Sequence, residues 1–263
     1  MLGALRELYA RRDLLYILTW REIKVRYKQS VMGLLWAVLM PLVIVCAGVV
    51  VRFAFSRVSG TPLALSDLTA VTVKAAPWAF FVAALRFGTN SLVTNSNLVT
   101  KVYFPRVLLP LAGVVVPIVD FVLGSVVLLV LMWRYQAWPA GATLALAPLF
   151  ILLACVTALG IGFGLSALNV RYRDVPYAIP VFLQVLPFVS GVPYALTEIP
   201  TKWQWILSVN PMTAVIGGWR WAVLGAEAPD AGQVGVSVAV AILLLLGGLA
   251  FFRSSEPRFA DTI

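Results

Sequence analysis

The side chains of this sequence that could take part in chemistry are mainly those of charged residues within apolar stretches. Asp120 lies in the middle of the apolar stretch 107–133, and Arg86 interrupts the apolar stretch 68–93. A charge at such a position faces protein or a water-filled cavity, because lipid cannot solvate it. We therefore expect Arg86 to face a cavity or protein. Asp120 has two interpretations, a proton relay or a carboxylate that accepts from a donor on a neighbouring helix, and its isolation favours the second.

Residue types exclude several kinds of catalytic and cofactor site. The sequence has no histidine and no Gly-Lys pair, which excludes histidine-based catalysis, most zinc sites and a P-loop for ATP. The acidic residues form no cluster. The spacing of Gly160 and Gly164 predicts close helix packing, since the full dinucleotide-binding pattern around them is missing. We predict that this chain is not an enzyme and holds no catalytic residue, metal or cofactor of its own.

The composition is that of a protein embedded in a membrane. Hydrophobic residues make up 61% of the chain, charged residues only 12%, and the mean hydropathy is +0.95, whereas a soluble domain carries about 25% charged residues. The net charge of +9 comes from basic residues that flank apolar stretches. This distribution disfavours a nucleic-acid partner and favours contact with membrane lipids.

The apolar stretches predict an all-α membrane protein with six transmembrane helices. The predicted spans are 31–51, about 75–93, 107–133, 143–168, 175–192 and 234–252, and each is long enough to cross a hydrocarbon core of about 30 Å. Residues 1–30 form a predicted cytoplasmic interface helix, 31–252 the transmembrane domain, and 253–263 a cytoplasmic tail. Pro176, Pro180 and Pro187 predict that the fifth span is broken or irregular. Lys and Arg are concentrated in the segments that this topology places inside, which predicts two cytoplasmic termini.

Three shorter elements are predicted around the spans. Tyr16, Trp20, Ile23 and Tyr27 recur at helical spacing, which predicts an amphipathic helix that lies flat on the cytoplasmic face and turns into the first span. The polar stretch 94–106 predicts a short helix between two spans. The Trp- and Pro-rich stretch 193–224 predicts a re-entrant pair of helices hinged at Asn210.

Several motifs along the chain carry a resemblance to a known family. They are Trp20-Arg21-Glu22-Ile23-Lys24-Val25-Arg26-Tyr27, Met32-Gly33-Leu34-Leu35-Trp36-Ala37 before Met40-Pro41, Asn169 with Arg173-Asp174, and Asn210-Pro211-Met212. In this order and spacing the chain resembles the membrane subunit of type-two ABC exporters for bacterial cell-surface polysaccharides. The resemblance covers essentially the whole chain.

The resemblance implies a homodimer that is joined to two separate ATPase subunits, which hold ATP and Mg²⁺. It implies a location in the bacterial inner membrane. Its substrate would be a polysaccharide on a polyprenyl pyrophosphate lipid, such as an O-antigen, a teichoic acid or a capsule precursor. The basic residues of the first helix could meet the pyrophosphate or anionic lipid headgroups, and both interpretations stay open.

The resemblance also implies roles for particular residues. Those expected to couple to the ATPase are Trp20, Arg21, Glu22, Arg26, Tyr27, Asn97, Lys101, Pro105, Arg106, Asn169, Arg173 and Asp174. Those expected along the substrate path or at its exit are Tyr16, Trp36, Arg86, Tyr194, Trp203, Trp205, Asn210, Pro211 and Trp219. The aromatic members could stack on sugar rings or simply belong to the interfacial belt.

Three alternative functions would each need a different sequence feature. A permease of the same fold could export a drug or another lipid, and a longer outer domain would favour it. A secondary transporter or channel without an ATPase would need inverted repeats or coupling carboxylates, and neither is visible. A membrane-bound enzyme is disfavoured by the lack of histidine and of clustered acids.

Overall fold

The structure of the chain is a computed structural model that describes residues 11–28, 65–101, 104–134, 141–192 and 199–262, with single positions at 39, 46, 50, 53 and 57. Every regular element in these ranges is a helix, which confirms the all-α class. In chain order they are α1 (Arg12–Lys28), α2 (Leu65–Thr94), α3 (Ser96–Lys101), α4 (Leu108–Arg134), a 3-10 turn (Ala142–Leu146), α5 (Ala147–Arg171), α6 (Val175–Val189), α7 (Thr201–Ser208), α8 (Pro211–Leu224), α9 (Ala231–Ser255), a second 3-10 turn (Glu256–Arg258) and α10 (Phe259–Thr262).

Three helical stretches of the described chain are long and apolar enough to cross a membrane. They are Leu108–Val130, Ala142–Arg171 and Ala231–Arg258, and they match the third, fourth and sixth predicted spans. Helix α2 has 30 residues and begins earlier than the second predicted span. The first predicted span lies outside the described residues except for a few single positions, so the count of six stays a prediction.

Helix α6 differs from the broken fifth span that the prolines predict. It is continuous over Val175–Val189, with Pro180 and Pro187 in its interior and Pro176 in its first turn. A proline in the first turn removes no helical hydrogen bond, so only the two interior prolines cost one each. At 15 residues the helix is about 22 Å long, which is shorter than the hydrocarbon core of a bilayer.

The predicted short elements are present as helices. The short helix between two spans is α3, and the predicted pair before the last span is α7 and α8. Asn210 separates this pair, and its Oδ1 atom caps α8 by accepting from the Met212 amide at 3.1 Å. Helix α8 ends at Gly225, whose φ of 63° is the left-handed conformation that terminates helices. Whether the pair re-enters the membrane stays a prediction.

Helices α5 and α9 approach each other at glycines. A Cβ atom on Gly160 would lie 2.5 Å from the Leu245 amide nitrogen, and one on Gly248 would collide with the Gly160 carbonyl. The close packing predicted for Gly160 is therefore confirmed. Gly164 has open space beside its Cα atom, so the second glycine of the motif has no part in this contact.

The bundle has a proximal end and a distal end. The proximal end carries the last turn of α2, helix α3, the first turn of α4 and the last turn of α9. The distal end carries helix α7, the 225–230 loop and the first turn of α9. An apolar core that includes Trp78, Phe81, Met212 and Val215 lies between the ends, and it holds the helices that position the polar groups described next.

Candidate functional site

Helix α1 packs along the bundle at its proximal end. Leu18 and Thr19 are buried, whereas Tyr16 and Trp20 stack on each other in parallel on the exposed side, with ring centroids 6.4 Å apart. The helix also contacts α4. Tyr16 and Trp20 thus lie on a face that the described protein leaves uncovered.

The depth of α1 in the bundle follows from two of its arginines. Arg21 contacts Asn95 at the end of α2, whereas Arg26 lies over the ring of Phe87, 4.7 Å from the ring centroid. Phe87 lies two helical turns deeper along α2 than Asn95. Helix α1 therefore contacts α2 from its end to an interior turn. The flat orientation on the cytoplasmic face that the aromatic spacing predicts stays a prediction.

Arg26 forms an ion pair with the carboxylate in the middle of α4. Its Nη1 atom lies 2.6 Å from Asp120 Oδ2, and the Asp120 side chain is largely buried. The expectation that Asp120 meets a donor on a neighbouring helix is confirmed. The partner itself was not expected. Arg26 is one of the residues that the family resemblance assigns to ATPase coupling.

A second polar contact ties α1 to the end of α2. Arg21 Nη2 donates to Glu22 Oε1 at 2.7 Å and to the Asn95 side-chain oxygen. The Asn95 amide in turn donates to the Ser91 carbonyl at 2.9 Å. Two predicted coupling residues, Arg21 and Glu22, are thereby fixed to the turn from which α3 begins.

Asn169 belongs to the interior of the bundle. Its Nδ2 atom donates to the Thr89 carbonyl at 3.1 Å and to Asn90 Oδ1 at 3.2 Å, and only 4% of the residue is exposed. The side chain therefore joins α5 to α2. Any influence of Asn169 on a partner protein acts through these helices, because the side chain itself is covered.

Arg86 lines a cavity of about 430 Å³ between α1, α2 and α4, which we call the proximal cavity. Other walls of the cavity come from Glu22, Arg26 and Asn90. The expectation that Arg86 faces a cavity is confirmed. Arg86 is an exposed residue and has no ion-pair partner among the residues that the structure describes.

The segment after α3 is anchored to the end of the chain. Arg106 donates from Nη1 to the Glu256 carbonyl at 2.6 Å and from Nη2 to the Val99 carbonyl at 3.4 Å. Asn97 and Lys101 are exposed on α3, and Pro105 is half-buried. Helix α3 is therefore held by one predicted coupling residue and presents two others to the outside.

The remaining predicted coupling residues fall into two groups. Arg173 and Asp174 are exposed in the turn between α5 and α6 at the proximal end. The side chain of Tyr27 lies outside the described part of the structure. The proximal end thus collects the described residues of this set except Arg26, whose partner Asp120 lies in the middle of α4.

The residues predicted along the path or at its exit are dispersed. Trp203 and Trp205 are exposed on α7, whereas Trp219 is buried and meets Phe121 edge-on, with ring centroids 5.2 Å apart. Asn210 donates to the Ser190 hydroxyl at 2.8 Å. Pro211 is buried in the first turn of α8. Trp36 and Tyr194 lie outside the described residues.

Sequence reasoning did not find the residues that complete these contacts. Asn95 contacts Arg21 of α1, and Asn90 accepts from Asn169 of α5. In the sequence, each of these asparagines is an ordinary polar residue near the end of a predicted span. Lys74 is buried in α2 and was predicted to precede that span. The charge of Lys74 within an apolar stretch was the one signal that could have indicated its position.

These features define an integral membrane protein whose apolar helices enclose polar cavities, as a transporter requires. The chain belongs to the ABC-2 type transporter family, which it matches over residues 13–224. Membership implies that the chain works with an ATPase as part of an ABC transporter. It is a permease by homology, and the resemblance to polysaccharide exporters that its motifs indicate is confirmed.

Similar proteins include O-antigen export system permeases. The RfbA protein of Myxococcus xanthus is 30% identical over 267 residues that cover 100% of both chains. An RfbA protein of Klebsiella pneumoniae is 27% identical over 255 residues, or 95% of each chain. The polysialic acid transport protein KpsM of Escherichia coli is 22% identical over 245 residues, 90% of this chain and 91% of KpsM.

Proposed function

We propose that this chain is the transmembrane subunit of an ATP-driven exporter that moves a polyprenyl-pyrophosphate-linked polysaccharide across the bacterial inner membrane. It works as a homodimer with two ATPase subunits, which bind ATP and Mg²⁺, and both of its termini are cytoplasmic. Support comes from the family and from the similarity to RfbA and KpsM, whose names refer to O-antigen export and polysialic acid transport.

The observation that carries the proposal is the position of Arg86 in the proximal cavity. An arginine within an apolar helix is costly unless it meets a counter-charge. The Asp120 carboxylate is already paired with Arg26 at 2.6 Å, and Glu22, which lines the cavity, is paired with Arg21 at 2.7 Å. A pyrophosphate group would supply the missing negative charge, and guanidinium binds phosphate oxygens with two parallel hydrogen bonds. The proximal cavity is therefore the proposed binding site of the lipid headgroup.

The proposed coupling element is α3 together with the exposed turn after α5. ATP hydrolysis can shift the helices only through contacts that differ between the states of the ATPase. Asn97 and Lys101 are exposed on α3, and α3 directly joins α2 to α4, the helices that line the proximal cavity. A movement of α3 would therefore be transmitted to Arg86 and Asp120.

The exposed aromatic residues support a carbohydrate cargo by their chemistry. Trp203 and Trp205 project from α7 at the distal end, and an exposed indole ring offers an apolar face on which a sugar ring can stack. The same exposure suits residues of the interfacial belt. We assign Trp203 and Trp205 to the exit of the substrate path. Trp219 has a packing role.

The test begins with purification of the tagged chain from its native membrane in mild detergent, followed by mass spectrometry of the bound proteins and lipids. We expect an ATPase in equal amount and a polyprenyl-linked glycan. An ATPase with a different lipid or a drug would favour a same-fold exporter of that cargo. A chain that purifies without an ATPase would favour a secondary transporter or channel.

The role of Arg86 is tested with variants of that position. Arg86→Gln removes the charge, and Arg86→Lys keeps the charge but loses the paired donors. We expect the recovered lipid-linked glycan to fall at least tenfold in Arg86→Gln and less in Arg86→Lys. Arg171→Gln, at an exposed position, serves as the control and should recover as much glycan as the wild type. Equal recovery in Arg86→Gln would contradict the assignment.

A further inference from the structure

A second polar cavity lies at the distal end, and the family similarity assigns it no role. It has a volume of about 310 Å³ and is bounded by α7, α8, the 225–230 loop and the first turns of α9. Lys74 of α2 also lines it and is only 7% exposed. Lys74 and Arg86 are separated by twelve residues of the same helix, or about 18 Å. The distal cavity is therefore a site separate from the proximal one.

Hydrogen bonds that involve side chains hold the walls of the distal cavity in place. Gln233 donates to Gln204 Oε1 at 3.2 Å, and Ser237 donates to the Ser208 carbonyl at 2.7 Å, so α9 is joined to α7. Asp230 accepts from the Gln233 amide at 2.9 Å. These contacts hold the α7 and α9 walls of the cavity against each other.

Two charged groups that line the distal cavity are not used by these contacts. Arg220 and Glu227 form no ion pair or side-chain hydrogen bond with the residues that the structure describes. Arg220 is half-buried, whereas Glu227 and Asp230 are exposed at the rim. A guanidinium group and a carboxylate on one cavity offer hydrogen-bond donors and acceptors to the same ligand.

The balance of charge indicates what kind of ligand fits. Lys74 and Arg220 are positive, and Glu227 and Asp230 are negative, so a bare anion would be repelled by the carboxylates and a cation by the basic groups. A neutral ligand with several hydroxyl groups suits both, because each hydroxyl can donate to a carboxylate and accept from a guanidinium.

An aromatic ring lies next to the rim. A Cβ atom on Gly232 would lie 3.0 Å from the Trp205 ring, and 46% of Trp205 is exposed. A pyranose ring has apolar C–H groups on one face, which pack well against an indole ring. The volume of about 310 Å³ lies at the lower limit of small-molecule pockets, as expected for one sugar ring rather than an oligosaccharide.

We propose that the distal cavity is a binding site for a single neutral sugar residue, recognised by Arg220 and Glu227, with the ring of Trp205 next to the rim. The inference rests on the proposed function, since it identifies the bound sugar as a unit of the exported glycan. It adds a recognition site for the glycan itself, distinct from the proposed headgroup site at Arg86.

The test uses the purified complex of the chain with its ATPase in lipid nanodiscs. Saturation-transfer NMR measures the binding of the methyl glycosides of glucose, galactose, mannose, rhamnose and N-acetylglucosamine. We expect at least one glycoside to bind, and we expect Arg220→Met and Glu227→Gln to weaken its binding at least tenfold. Arg253→Met, at an exposed position of α9, is the control and should bind as the wild type does. Thermal unfolding verifies that the variants are folded.

Three results would overturn the inference. They are binding of none of the five glycosides, equal binding in Arg220→Met and the wild type, and displacement of the glycoside by inorganic phosphate, which would indicate an anion site. ATP-dependent export of lipid-linked glycan is measured on the same wild-type preparation. Export without glycoside binding would reject only the distal site, whereas glycoside binding without export would reject the proposed function.

Discussion

Arg26 Nη1 lies 2.6 Å from Asp120 Oδ2, so an arginine of the first helix neutralises the acidic residue in the middle of α4. The pair joins a helix outside the bundle core to one of its apolar spans. Arg26 and Arg86 both line the proximal cavity. Because Arg26 takes the Asp120 carboxylate, Arg86 has no ion-pair partner among the described residues. The stability of this region and its affinity for anions therefore depend on the same contact.

Replacing Asp120 by Asn should destabilise the protein, because the charge of Arg26 then loses its counter-charge. A hydrogen bond to a charged group contributes about 1.5–3 kcal/mol, and we expect a loss of that size. Thermal unfolding of the detergent-purified protein measures it. The charge-swapped double variant Arg26→Asp with Asp120→Arg should recover part of the loss. No recovery would mean that the ion pair itself contributes little.

Adding a methyl group at Gly248 should disrupt the contact between α5 and α9. The new Cβ atom in Gly248→Ala would collide with the Gly160 carbonyl, and overpacking of this kind costs about 1–3 kcal/mol. Gly164→Ala is the matched control, since nothing lies within 4 Å of that position. Comparing the unfolding temperatures of the two variants with wild type is the measurement. Equal temperatures would contradict the close approach of the helices.

Asn169→Ala should lower stability and act on coupling only indirectly. The variant removes the donor to the Thr89 carbonyl at 3.1 Å and to Asn90 Oδ1 at 3.2 Å, and an intramolecular hydrogen bond contributes about 0.5–1.5 kcal/mol to stability.

Arg173→Ala is the comparison for Asn169→Ala, because Arg173 is exposed and surface substitutions usually change stability by less than about 0.5 kcal/mol. We expect Arg173→Ala to weaken co-purification of the ATPase while the unfolding temperature stays the same. If Asn169→Ala left stability unchanged but released the ATPase, Asn169 would contact the ATPase directly, and its structural role would be rejected.

Replacing Trp219 or Trp203 should have different effects on stability and on export. Trp219 is buried against Phe121, so Trp219→Ala should cost about 3–5 kcal/mol of stability. Trp203 is exposed, so Trp203→Ala should leave stability almost unchanged and reduce export of lipid-linked glycan. Parallel unfolding and export assays distinguish the classes. Normal export by Trp203→Ala would place this residue in the interfacial belt instead.

The elements that were predicted well are those with a strong local signal. The apolar runs around α4, α5 and α9 appear as helices close to the predicted bounds, because hydropathy is a property of consecutive residues. The pair α7 and α8 was predicted from proline and tryptophan spacing, and Asn210 caps α8 as such residues do. Helix α6 was predicted less well, since interior prolines weaken a helix without always breaking it.

The sequence by itself determined the helical membrane class, the family and the lack of a P-loop, because each depends on composition or on residues adjacent in the chain. Only the tertiary structure paired Arg26 with Asp120, placed Asn169 in the interior and left Arg86 facing a cavity. These relationships depend on how far each helix is rotated and how deep it sits in the bundle. Rotation and depth are decided by packing, such as the contact of Gly160 with Gly248, between segments that are distant in the sequence.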